Sequence, residues 1–79
     1  MLTLYYLSNC PFCTKVLDHL KKMNKTVAMK DIDLPGIREE LREIGGKSQV
    51  PCLVIDGNAM YESAAIMQWM SNHPTHLEG

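Results

Sequence analysis

No run of apolar residues in this chain approaches the roughly 20 that a membrane-spanning helix needs. A charge surplus is missing too. Eight Lys and Arg stand against nine Asp and Glu, a net charge of −1, so no strong field draws the chain to nucleic acid or an anionic membrane, and neither is expected as a partner. Cysteines number only three, an odd count that argues against a secreted scaffold in which every thiol is paired. No second Cys-x-x-Cys and no His-x-x-x-His accompanies the one close pair. A zinc site would need about two more ligands than that pair supplies, so no metal is expected. The opening Met1-Leu2-Thr3-Leu4 lacks a basic region and leads straight into a motif, so no signal peptide is expected. These features together suggest the reducing cytoplasm. There a close cysteine pair is better suited to redox chemistry than to a structural bridge.

The 79 residues, 46% of them apolar, can bury one small core, and residues 1–79 are expected to form a single α/β domain. Leu2 to Leu7 reads as a buried strand. Cys13, Val16, Leu17, Leu20 and Met23 then recur at helical spacing, up to a stop at Asn24-Lys25. Thr26 to Asp31 reads as a second strand. Asp33 is expected to cap a second helix with Pro35 near its first turn and a buried stripe of Ile37, Leu41 and Ile44, which Gly45-Gly46 ends. Pro51 to Asp56 and Ala59 to Tyr61 form a hairpin about Asp56-Gly57-Asn58. Ser63 is expected to cap a last helix with Ile66, Trp69 and Met70 inward, up to Asn72-His73-Pro74, beyond which a loose tail is expected. The order is β-α-β-α-β-β-α. A right-handed parallel crossover followed by a hairpin makes the sheet mixed. Lys21, Lys22 and Lys25, like Glu39, Glu40 and Glu43, read as solvated helix faces.

The chemistry concentrates in Ser8-Asn9-Cys10-Pro11-Phe12-Cys13, where strand gives way to helix. Cys10 at the N-cap and Pro11 at the first helical position leave the Cys10 sulfur facing the unpaired N–H groups of Phe12 and Cys13 and the positive end of the helix dipole. Both favour thiolate, the nucleophile of thiol–disulfide exchange. Cys13, one turn deeper, is placed to resolve a mixed disulfide formed at Cys10. Cys52 reads as a small buried apolar residue.

With "CPFC" after a strand, "QVPCLVIDG" further on and "YESAAI" opening the last helix, the chain from Leu2 to Met70 resembles glutaredoxin, a thioredoxin-fold family. It also resembles the glutathione-binding N-terminal domain of glutathione transferases. That likeness implies a four-stranded mixed sheet with three helices. It also implies a glutathione-dependent thiol–disulfide oxidoreductase acting on protein disulfides and glutathionylated proteins, with Cys10 and Cys13 catalytic and a monomer expected. It implies a cis Val50–Pro51 bond beside Cys10, with the Val50 backbone pairing the cysteinyl part of glutathione. Glu62 and Ser63 would hold the γ-glutamyl end at a helix N-terminus. Lys47 and Gln49 would meet the glycyl carboxylate, and Pro11 and Phe12 would supply contact surface. Two positions depart from the family: Leu7 stands where many members have lysine, and Met60-Tyr61 where many have Gly-Gly. Both lean toward the transferase-like type. Two other roles fit a chain of this kind. One is a thioredoxin-like donor reduced directly by a flavin reductase. The other is a non-catalytic module that holds glutathione or an iron–sulfur cluster.

Overall fold

The computed structural model describes residues 1–79. Its elements are β1 (Leu2–Tyr6), α1 (Pro11–Met23), β2 (Ala28–Asp31), α2 (Ile37–Gly45), β3 (Cys52–Ile55), β4 (Asn58–Met60) and α3 (Ser63–Asn72), followed by a 3-10 turn, Pro74–His76. The sheet runs β2-β1-β3-β4. β1 and β2 are parallel, while β3 is antiparallel to both β1 and β4. The expected order and the mixed four-stranded sheet are both present. No helix is long and apolar enough to cross a membrane.

Side chains alternate across a strand, so neighbouring residues of β1 serve two cores. Leu4 packs with Val16 and Leu20 of α1, Leu53 of β3, Ile66 and Met70 of α3, and Leu77. Tyr5 points to the other face, where Ile32, Leu41 of α2, Cys52 and Val54 gather. Helices α1 and α3 therefore share one face, tied by His19 Nε2 and Ser71 Oγ at 2.8 Å, and α2 covers the other. The Tyr5 hydroxyl donates to Glu40, whose carboxylate also takes the Lys30 ammonium at 2.7 Å, fastening α2 to β1 and β2.

Several expectations need correction. Asp33 does not cap α2. Gly36 holds that position at φ 82°, and the Asp33 carboxylate instead meets Arg38 at 3.3 Å. Ile44 is 38% exposed, because the five-residue cluster beneath α2 ends short of its last turn. Ser63 is already helical. Glu62, extended at φ −78° and ψ 125°, is the N-cap, and no side chain closes that end. Trp69 does pack against the core as expected, half-buried at its margin, and stacks on His73 with ring centroids 4.4 Å apart. Thr26 lies outside β2 and bridges Glu78 instead. That bridge and Leu77, only 7% exposed, tie down the tail expected to be loose.

Candidate active site

The loop after β1 turns at Leu7, whose carbonyl accepts the Cys10 N–H at 3.1 Å, and α1 starts at the next residue. Cys10 is extended, φ −89° and ψ 120°, and acts as the N-cap, with Pro11 at the first helical position, as expected. Its sulfur accepts the Cys13 N–H at 3.4 Å. Its carbonyl takes both the Thr14 N–H at 3.0 Å and the Thr14 hydroxyl at 3.1 Å. A thiol that fills the helix cap therefore lies against unpaired donors, with no side chain competing for them.

The electrostatics of the two thiols diverge. Burial pushes Cys10 up, but hydrogen bonds from the Cys13 backbone and thiol and from the Phe12 N–H outweigh it, holding Cys10 below the ordinary thiol value. Cys13 is 1% exposed, and burial drives its thiol up to about 11 despite a hydrogen bond at Leu7. Cys52, fully buried behind the sheet as expected, is also raised by burial to about 11. Iodoacetamide at neutral pH is accordingly expected to label the folded chain once, at Cys10. Only thiolate alkylates, so the rate should climb with pH and level off below the ordinary thiol pKa of about 8.5. Intact mass and peptide mapping check this; two or three labels on the native protein would contradict it.

Across from α1 lies a groove of about 220 Å³ lined by Phe12, Gln49, Val50, Pro51, Tyr61, Glu62 and Ser63. The Val50–Pro51 peptide is cis, and the Val50 carbonyl oxygen is 4.0 Å from the Cys10 sulfur. The Val50 N–H has no partner within the protein. The N–H groups of Ser63, Ala64 and Ala65 are likewise unpaired, because the first bond of α3 runs from Ile66 to the Glu62 carbonyl at 2.8 Å. Such a helix end attracts an anion. The fold thus brings together six of the expected site residues beside the Cys10 thiol. Pro11 is exposed and does not line the groove, and Lys47 stands outside it against Tyr61. Tyr61 was not expected in the site; its place in the groove depends on packing, and only its position just before Glu62 pointed to it. A slightly larger groove, about 260 Å³ and lined chiefly by Leu17, Leu20, Val27 and Met29, contains none of the three cysteines.

A glutaredoxin family model matches residues 2–60. The chain belongs to the glutaredoxin family. An uncharacterized glutaredoxin-like 8.6 kDa protein from the rubredoxin operon of Clostridium pasteurianum is 34% identical over 61 residues, 73% of this chain and 79% of that one. Among solved structures, glutathione transferase Omega 3C from Trametes versicolor superposes with TM-score 0.80 at 23% identity, over 94% of this chain. The buckwheat glutaredoxin–glutathione complex superposes with TM-score 0.69 at 17% identity, over 90% of this chain and 68% of that one. At these identities the likeness is one of fold, and the fold is thioredoxin-like. This glutaredoxin-family chain spans 34% of the Omega transferase, about a third of its length.

Proposed function

We propose that the chain is a glutathione-dependent thiol–disulfide oxidoreductase of the cytoplasm, with residues 1–79 acting as one monomeric unit. The observation that carries this reading is a lowered, accessible Cys10 thiol beside a groove whose Val50 N–H and α3 N-terminus are both unpaired. Glutathione is an extended peptide with a carboxylate at each end. Its cysteinyl backbone pairs with Val50 as an added strand, and its γ-glutamyl carboxylate meets the first turn of α3. The Glu62 carboxylate faces the ammonium of that end, while Lys47 and Gln49 serve the glycyl carboxylate. Pro11 and Phe12 give contact surface at the mouth.

In the reaction the Cys10 thiolate attacks the glutathione sulfur of a glutathionylated protein. A Cys10–glutathione disulfide forms, and the protein thiolate leaves and takes up a proton. A second glutathione thiolate attacks that disulfide, releasing oxidised glutathione and restoring the Cys10 thiolate. With a protein disulfide as substrate, the Cys10 thiolate attacks one of its sulfurs, forming a Cys10–protein mixed disulfide and releasing the other sulfur as a thiolate that takes up a proton. Cys13 then gives up its proton and attacks the Cys10 sulfur of that bond. This frees the reduced protein and leaves a Cys10–Cys13 disulfide, which two glutathione molecules then reduce.

Glutathione-coupled reduction of a small mixed disulfide tests the reading. Wild type is expected to turn over with a rate that saturates in glutathione, and Cys13→Ser is expected to keep activity through the one-thiol route. Inactivity with glutathione, together with rapid reduction by a flavin-dependent thioredoxin reductase, would replace this reading with the direct-donor one.

A further inference from the structure

We propose that Tyr61 is a positioning residue that sets Lys47, and the loop running from it to Val50, beside the groove, where the Lys47 ammonium can reach the glycyl carboxylate of a bound glutathione. The proposal rests on the reading that this groove takes glutathione. Tyr61 follows β4 directly and precedes the Glu62 cap of α3, yet its side chain reaches back across the molecule to the end of α2. Its hydroxyl donates to the Lys47 carbonyl at 2.8 Å, joining residues 14 apart in sequence. The Lys47 ammonium in turn lies 4.6 Å from the centroid of the same ring. One aromatic side chain therefore holds both the main chain and the charged head of Lys47, the second through the negative face of its π-system.

The end of α2 is shaped to admit that ring. Gly46 takes the left-handed position that closes the helix, φ 86°, where glycine suffers no Cβ clash. Gly45 is still helical and needs no such freedom. A Cβ built on it would meet the Tyr61 hydroxyl oxygen at 1.8 Å and Cζ at 2.7 Å. The sequence pair Gly45-Gly46 thus does two different jobs: one glycine ends the helix and the other makes room for Tyr61.

Lys47 has no carboxylate partner. The ion pairs of the chain are Met1 with Asp56, Lys30 with Glu40 and Arg38 with Asp33. Its ammonium is held only by an aromatic face, an arrangement that orients a cation and leaves its charge unneutralised for an incoming carboxylate. A lysine already held in place gives up less rotamer freedom when ligand arrives, so affinity rises without any new contact. Tyr61 also lines the groove beside Gln49, Val50 and Glu62, so the ring that fixes Lys47 forms part of the wall the ligand meets.

Steady-state kinetics and proton NMR of the whole chain test the proposal together. Tyr61→Leu, which loses ring and hydroxyl, is expected to raise KM for glutathione on the order of tenfold, and Tyr61→Phe, which keeps the ring, about threefold, with kcat within about twofold in both. Lys47→Met is expected to match Tyr61→Leu. Adding Tyr61→Leu to Lys47→Met should then raise KM by about threefold and not tenfold, because Lys47→Met already removes the ammonium–ring contact and leaves only the hydroxyl bond to the Lys47 carbonyl and the wall contact to lose. A full Tyr61→Leu effect in the Lys47→Met background would overturn the proposal. The second readout needs no glutathione. The Lys47 methylene protons next to the ammonium are expected upfield in wild type and Tyr61→Phe, shifted by the ring current, and at ordinary values in Tyr61→Leu and Gly45→Ala. If wild type does not turn over with glutathione, the functional reading fails and this shift alone judges Tyr61. Ordinary Lys47 shifts in folded wild type would end the proposal whatever the kinetics show.

Discussion

Cys10→Ser is expected to reduce glutathione-coupled turnover of a mixed disulfide by a factor on the order of 10³ or more, to the background rate, the scale on which an essential nucleophile is lost. Cys10 is the one cysteine beside the groove that is not buried, and its ionisation is favoured by the Cys13 and Phe12 donors at the start of α1. Serine fits the same cap and accepts the same Cys13 N–H. The fold and the groove should therefore survive while the nucleophile disappears. This separates chemistry from structure, since far-UV circular dichroism and the melting temperature are expected to stay near those of wild type. Cys13→Ser makes the contrast. Cys13 is 1% exposed and its thiol is pushed up by burial to about 11, so it stays protonated and out of reach of an external substrate, with Cys10 the sulfur beside it. A Cys10→Ser protein with undiminished turnover would remove Cys10 from the chemistry.

The second large effect is on stability. Leu53→Ala is expected to cost about 2–5 kcal/mol, the range for a buried leucine truncated to alanine, where the residual cavity decides the position within it. Leu53 is fully buried in β3, which is hydrogen-bonded on both sides, and its side chain belongs to the cluster of Leu4, Val16, Ile66 and Met70 that joins the sheet to α1 and α3. Domains have a net stability of roughly 0.05–0.15 kcal/mol per residue, so this single truncation removes a large share of what a chain of this size has. Urea unfolding should show a lower midpoint with an unchanged slope. Ile44→Ala is the control. That side chain is 38% exposed at the end of α2, and a surface truncation of this kind is expected to cost less than about 1 kcal/mol. Equal losses for the two variants would mean that the core is not where the burial places it.

The features legible in the sequence lie within a few residues of the signals that announced them. The Cys10 cap with Pro11 behind it, the inward stripe of Cys13, Val16 and Leu20, and the turn at Asp56 and Gly57 were all recognisable from neighbouring residues. The resemblance carried by CPFC, the Val-Pro step and YES pointed to the groove, and six of its seven lining residues were among those expected. Local misreadings arose where two residues competed for one role. Gly36 rather than Asp33 precedes α2, and Glu62 rather than Ser63 precedes α3, and neither end is closed by a side chain, so the side-chain capping signals at Asp33 and Ser63 did not mark where the helices start.

By its own residue order, then, the chain determined the succession of strands and helices and the place of the reactive thiol. Each of these depends on backbone preferences and on donors at most one helical turn away. Only the tertiary structure decided that Tyr61 holds Lys47 against the space left by Gly45 and that the tail returns to pair Glu78 with Thr26. Those contacts join residues far apart in sequence, and their partners meet only after the sheet and helices have packed.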